Sequence, residues 1–190
     1  MDTGAGPPVR SIGTDPVAFT EFYRAHVDEV TRFVTRRVAD PHLAADLTAE
    51  VFLAAIEAAA QYRGSSGGPR TWLYGIARHV IAAEFRRSAR ERRAESLIAG
   101  RRLLEADDVD RLAEKIDASR RVRELHRELQ ALPEGERAVL ELVAVDGLTV
   151  AEAAAALGIR PVTARVRLYR ARRVLQPEPF QMVIETEVLS

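Results

Sequence analysis

Residues 149–175 read TVAEAAAALGIRPVTARVRLYRARRVL. Thr149-Val150-Ala151-Glu152 has the spacing of a capping box, in which hydroxyl and carboxylate each satisfy a free amide at a helix start. The helix it opens ends at Gly158, a residue suited to the left-handed C′ position. Arg160-Pro161 restarts the chain, and Val162 to Leu175 forms a second helix. A two-helix DNA reader needs a small residue at the helix crossing, a turn residue tolerating positive φ and an apolar anchor. Ala154, Gly158 and Ala164 stand at those places, and Ile159 and Leu168 complete the inner face. The outer face then carries Arg160, Thr163, Arg165, Arg167 and Arg170. Arginine can grip guanine or phosphate, and threonine can do either. A plain helical hairpin with a charged outer face would share the spacing, but not six arginines without one acid over residues 158–175.

Outward from this segment, the 190-residue chain has no net charge, with 28 basic and 28 acidic residues. Lys115 is the single lysine, so the positive charge is almost wholly arginine. Residues 63–93 hold a second basic run, eight arginines against Glu84 and Glu91. Two basic segments in a neutral chain read as two electrostatic footprints, with the acids placed elsewhere. The absence of cysteine excludes disulfides and thiolate metal sites and leaves a reducing cytoplasm open. No apolar run approaches the roughly 18 residues of a membrane span. Residues 1–14 lack the apolar core of a signal peptide and read as a disordered tail.

The pattern is helical nearly throughout, so an all-α fold of two small domains is expected. Asp15-Pro16 and Asp40-Pro41 each join a capping residue to proline at the first helical position. Phe19, Phe22, Tyr23, His26, Val30, Phe33, Val34 and Val38 keep a 3.6-residue period, as do Leu43, Leu47, Val51, Ala54 and Ala58. His26, on that apolar stripe, reads as a core histidine rather than a ligand. After a flexible loop at 64–69, a third helix begins near Arg70 and runs from Trp72, Leu73, Ile76, Ala77 and Val80 into the arginines. The first domain is placed at 15–95. Residues 96–118, with six acids and four bases, read as an acidic linker. The second domain is placed at 119–176, followed by a tail at 177–190. Within the second domain Pro133 opens a helix that Asp146-Gly147 closes.

At this point the chain resembles the extracytoplasmic-function group of bacterial sigma factors, within the wider housekeeping-sigma superfamily. Leu132 to Leu140, Gly147 to Ala154, Leu157-Gly158-Ile159 and Thr163 to Arg172 resemble the group's region 4. Asp46-Leu47-Thr48-Ala49-Glu50-Val51-Phe52-Leu53 resembles the D-L-x-x-E-x-F-L segment of region 2, and Trp72 to His79 with Phe85-Arg86-Arg87 resembles W-L-x-x-I-A-R-N and the R-R that follows. The likeness covers residues 16 to 175. Four positions depart from the group's usual pattern: His79 for Asn, Ala83 for Asp, Val162 for Gly and Ala164 for Val. Loss of the acceptor at 83 implies an unusual −10 preference.

The resemblance implies a promoter-specificity subunit that binds core RNA polymerase, recognises −10 and −35 elements and helps open the duplex. It assigns Asp46, Glu50, Phe52 and Leu53 to polymerase, with Leu47, Val51 and Leu53 divided between core and interface. It assigns Arg70, Trp72, Arg78, His79, Arg86, Arg87 and Arg90 to the −10 element, with Trp72 serving either the core or base stacking. Arg160, Thr163, Arg165, Arg167 and Arg170 go to the −35 element. It admits an anti-sigma partner without identifying one, and a linker that lies in a basic channel or serves as a plain flexible tether. No cofactor, metal or catalytic residue is expected: His26, His42, His79 and His126 lack metal spacing, and Gly64 to Gly68 lacks the Lys-Ser/Thr of a phosphate loop. A stand-alone regulator with a dimerising or sensing first domain, and an interaction protein that engages a regulator, are the competing readings. The first basic run and the Asp46–Phe52 segment favour the sigma reading over both.

Overall fold

A computed structural model describes residues 9–64, 66–99 and 127–175. No strand occurs among them. The first domain contains α1 (Pro16–Thr35), α2 (Pro41–Ala58) and α3 (Gly68–Ala99). The second contains α4 (Glu134–Ala144), α5 (Val150–Ala156) and α6 (Pro161–Leu175), preceded by a helical stretch at 127–131. The linker from residue 100, the start at Ser119 and the tail at 177–190 lie outside the described residues.

The expected caps form. The Asp15 carboxylate accepts from the Val17 amide, and Asp40 accepts from His42 and Leu43, each ahead of proline. Phe22, Val30, Phe33 and Val34 of α1 meet Leu47, Val51 and Ala55 of α2 and Leu73, Tyr74 and Ala77 of α3 in one core. The folded body starts earlier than the expected tail allows. Val9–Ser11 forms a 3-10 turn, Val9 and Ile12 are buried in this core, and Arg10 Nε donates to the Tyr62 carbonyl at 2.8 Å. Residues 9–14 are thereby packed rather than disordered. Two apolar side chains three residues apart find cover against the end of α2, so close that a β-carbon on Gly13 would stand 3.0 Å from the Ile56 carbonyl oxygen.

The second domain closes as its spacing required. The Thr149 hydroxyl accepts from the Glu152 amide at 3.2 Å, while Glu152 Oε2 accepts from the Thr149 amide at 2.7 Å. These bonds hold the Glu152 carboxyl below its ordinary pKa, the Thr149 amide having the largest influence. Gly158 takes φ +63°, and the Gly158 and Ile159 amides return to the Ala155 and Ala154 carbonyls, a Schellman closure. Ala154 and Ala164 are fully enclosed between α5 and α6, with Leu132, Val139, Leu140, Leu168 and Ala171 around them. Small side chains at the crossing let the two helices approach closely.

The domains are not separate bodies on a tether. Leu142, Leu148, Ala153 and Ala156 of the second domain belong to the same buried cluster as Val34, Leu73, Tyr74 and Ala77 of the first. The seven residues of α5 are thus covered on two sides, Ala154 toward α6 and Ala153 and Ala156 toward α3. A β-carbon on Gly75 would lie 2.9 Å from the Ala156 carbonyl oxygen, so α3 and the end of α5 meet nearly backbone to backbone. Only glycine fits there without a shift.

Thr149→Ala should lower folding stability by about 1 kcal/mol through loss of the cap, read as a lower urea midpoint with an unchanged slope. An unchanged midpoint would show that packing alone sets α5.

Candidate nucleic-acid interface

On α2, Asp46, Glu50, Leu53 and Glu57 are exposed at helical spacing, on the side opposite buried Leu47, Val51 and Ala55. Leu53 is 62% exposed, whereas Phe52 is 3% exposed and packs edge-on against Tyr23 with ring centres 4.7 Å apart. Leu47, Val51 and Phe52 are therefore core. Phe52, expected among the polymerase-contacting residues, is buried here because its place on the helix turns it toward α1.

On α3, the residues expected at the −10 element divide into three groups. Trp72 is half-buried against Tyr62, ring centres 5.1 Å apart, and joins the first core. The neighbouring Tyr74 is buried on Phe33 with centres 4.4 Å apart. Arg70 and Arg78 face the second domain. Arg70 Nη2 donates to the Asp146 carbonyl at 2.8 Å, and Nε lies 3.4 Å from the Tyr74 hydroxyl and 3.7 Å from Glu29. That hydroxyl is the largest influence on Arg70 and raises its pKa. Burial is the largest influence on Arg78 and lowers its pKa, with the charge of Glu141 opposing. His79, Arg86, Arg87 and Arg90 form the exposed group. His79 Nδ1 lies 2.8 Å from the Gly75 carbonyl, and Arg87 pairs with Glu84 at 2.5 Å and Glu91 at 4.0 Å.

On α6 and its lead-in, Arg160, Arg165 and Arg170 are exposed, while Thr163 and Arg167 are half-covered. The Arg167 guanidinium lies over the start of α4, where a β-carbon on Gly135 would stand 3.0 Å from it. Arg170 reaches to within 4.0 Å of Glu136. The most exposed stripe of α6 carries residues absent from the expected set: Val162, Val166 and Tyr169 beside Arg165, Arg172 and Arg173. Tyr169 is 66% exposed. The signal lay in the sequence, since positions 162, 166 and 169 share a face once Ala164 and Leu168 are fixed inward.

Sequence reasoning also missed Arg36 and Arg37, which follow α1. Arg36 Nη2 donates to Asp146 Oδ1 and Arg37 Nη2 to Asp146 Oδ2, each at 2.5 Å. The Asp146 side chain has no exposed surface, and Arg37 also lies 3.7 Å over the Phe33 ring. Among the described residues no group of three acids and histidines could hold a metal, and no helix is long and apolar enough to cross a membrane.

A two-helix reader with a basic face, packed on a three-helix domain with a second basic face, defines a DNA-binding protein with two contact surfaces. Residues 22–91 match the family described as Sigma-70 region 2, and residues 122–175 match Sigma-70, region 4. The chain is 36% identical over 164 residues to the ECF RNA polymerase sigma factor SigC of Mycobacterium tuberculosis, covering 83% of this chain and 81% of that one. It is 29% identical over 156 residues to the RNA polymerase sigma factor YlaC of Bacillus subtilis, covering 82% and 88%. The fold is similar to the sigma factor RpoE solved in complex with the anti-sigma factor NepR from Bartonella quintana, with a TM-score of 0.57 at 20% identity, covering 84% and 94%. The chain belongs to the extracytoplasmic-function group of RNA polymerase sigma factors. It is a promoter-recognising subunit that acts with core RNA polymerase on promoter DNA.

The two neighbours on α2 should separate in a stability measurement. Phe52→Ala should cost about 3–5 kcal/mol as a buried aromatic, and Leu53→Ala should stay within about 0.5 kcal/mol as a surface change. Equal losses in chemical denaturation would contradict the division of α2 into core and outward faces.

Proposed function

We propose that the outward face of α2, with Asp46, Glu50, Leu53 and Glu57, docks on core RNA polymerase. An apolar residue ringed by three carboxylates suits a basic surface with an apolar pocket. The observation that carries this reading is the exposure of Leu53 amid acids on a helix whose other large apolar residues are buried or half-buried.

Two DNA surfaces go with it. Arg86, Arg87 and Arg90 hold the phosphates near the −10 element, and His79 stands one turn or more before them on the base side. Arg70 and Arg78 join this set only where the second domain has left them, since both are turned toward it here. Trp72 contributes to this surface as packing, supported by its contact with Tyr62. On α6, Arg160 and Arg165 approach from the exposed side, with Thr163 beside them. Arg167 and Arg170 act at the phosphate edge, consistent with their contacts toward Gly135 and Glu136. Val162, Val166 and Tyr169 offer apolar surface to thymine methyl groups in the major groove of the −35 element. The protein works in the cytoplasm, without catalysis of its own. Residues 96–118 link the two regions, and residues 177–190 form a tail. An anti-sigma factor that covers both regions is a fitting further partner, since the similar RpoE fold was solved with one.

Reconstituted transcription tests the reading. Core polymerase with this protein should initiate from a promoter selected by the holoenzyme, and core alone should not. Failure of the chain to bind core, together with tight operator-like duplex binding by the free protein, would favour a stand-alone regulator. Asp46→Lys with Glu50→Lys should weaken core binding by about tenfold or more, which is about 1.4 kcal/mol. Arg86→Ala and Arg165→Ala should instead leave core binding unchanged and each lower the log–log salt slope of promoter binding by roughly one. A loss of core affinity in either arginine variant would overturn the division of surfaces.

A further inference from the structure

We propose that Glu84, an acid inside the basic run of α3, is a positioning residue for promoter binding: it holds the Arg87 guanidinium in one orientation, so that this arginine meets the −10 phosphates already ordered. The inference rests on the assignment of Arg86, Arg87 and Arg90 to the phosphates at that element.

The core-facing stripe of α3 runs through Leu73, Ala77, Val80 and Ile81, and the next place on it, one turn on, is Glu84. Glu84 is 9% exposed, whereas Arg86, Arg87 and Arg90 around it are exposed. A carboxylate turned in at the end of a core is tolerated when its oxygens are matched. Both are matched here. The Ser88 hydroxyl donates to Oε1 at 2.9 Å, and Arg87 Nη2 lies 2.5 Å from Oε2. Burial and the Ser88 bond restrict the carboxylate, and the carboxylate restricts the arginine. Glu91 Oε1 adds a second acid, 4.0 Å from Arg87 Nε. The Arg87 side chain remains 63% exposed, so the held guanidinium still faces solvent. Its neighbours are held differently. Among the described residues Arg86 and Arg90 have no ion pair, and Arg90 Nε donates to the Arg86 carbonyl at 3.3 Å.

An acid at this place works against DNA binding on charge alone. It stands among arginines that attract phosphate, and it weakens that attraction. Stability does not account for it, since a pair with so exposed an arginine contributes little to folding. The effect of the pair is to remove freedom. A long arginine side chain gives up rotamers when it clamps a phosphate, and one already held has given them up before the DNA arrives. The fork is also fixed in direction, and arginine recognises phosphate directionally because its donors lie in one plane. Arg86 and Arg90 supply charge, while Arg87 supplies charge and a fixed direction. Glu84 itself does not touch DNA and acts only through Arg87.

Binding of the holoenzyme to a promoter it selects, measured against salt concentration, tests this. Glu84→Gln keeps the shape of the side chain and an acceptor for Ser88, but removes the charge that holds Arg87. It should weaken promoter binding about three- to tenfold, the cost of ordering one long side chain, although it takes a negative charge away from DNA. The log–log salt slope should stay as it was, because no phosphate contact is lost. Arg87→Ala should weaken binding and also lower that slope by roughly one. In the Arg87→Ala background, Glu84→Gln should bring no further loss and a slight gain, since only its repulsion of phosphate is then removed. Thermal unfolding shows that each variant folds. Glu84→Asp, which keeps the charge but withdraws it from Arg87, should repeat the loss and stands in where Glu84→Gln folds poorly. Unchanged or tighter promoter binding by Glu84→Gln, or an equal loss with and without Arg87, would overturn the positioning role. Unchanged affinity and slope in Arg87→Ala would instead overturn the phosphate reading of α3 on which it rests.

Discussion

One carboxylate without exposed surface, that of Asp146, joins the two halves of this molecule. Arg36 and Arg37 are delivered to it by the end of α1, where cations are also favoured by the helix dipole. Arg37 is fixed further by the Phe33 carbonyl at 3.0 Å and by the Phe33 ring beneath it. Asp146 is fixed by the turn after α4, where Gly147 takes φ +68°. Each partner is held by its own domain, so the pairing sets how the domains meet. Removing Asp146 would take from the largely buried Arg37 its shortest partner, and removing Arg37 would leave a fully covered carboxylate to Arg36 alone, each costing more than the pair itself gains. The contact of α5 with α3 and the partial cover over Arg78 follow from that register.

The net charge of zero takes on a physical meaning here. The basic faces are balanced by acids in two settings. Asp46, Glu50 and Glu57 are outward and uncovered, available to another protein. Glu141 and Asp146 are paired with arginines of the same chain. The exposed part of α3, from His79 to Arg90, and the exposed stripe of α6 remain available for first encounters.

Much of this was legible in the sequence because it is local. Asp15, Asp40 and the Thr149–Glu152 box specify helix starts within four residues, and Ala154, Gly158 and Ala164 specify the helix crossing by spacing alone. What escaped was long-range. Asp146 reads locally as a helix terminator, and nothing nearby announces arginines 109 and 110 residues away in sequence. Gly75 reads as a weak point within a helix until the Ala156 backbone is set against it. Periodicity also says which residues are buried without saying against what. Phe52 and Leu53 could not be sorted until α1 was in place, and Arg167 counted as outward until Gly135 was seen beneath it. Buried Val9 and Ile12 escaped for the same reason: too short a segment to show a period, they depend on a surface built by α2.

The Asp146 pairing predicts one body in the free chain, and the spacing of the two promoter elements predicts two in the working complex. A distance between spin labels tests it most directly, with labels at Ala25→Cys on α1 and Ala155→Cys on α5, both exposed. The free protein should give one short, narrow distance. With core polymerase and promoter DNA, that distance should be replaced by one longer by tens of ångströms. A broad distribution in the free protein, or the same short distance in the complex, would contradict it.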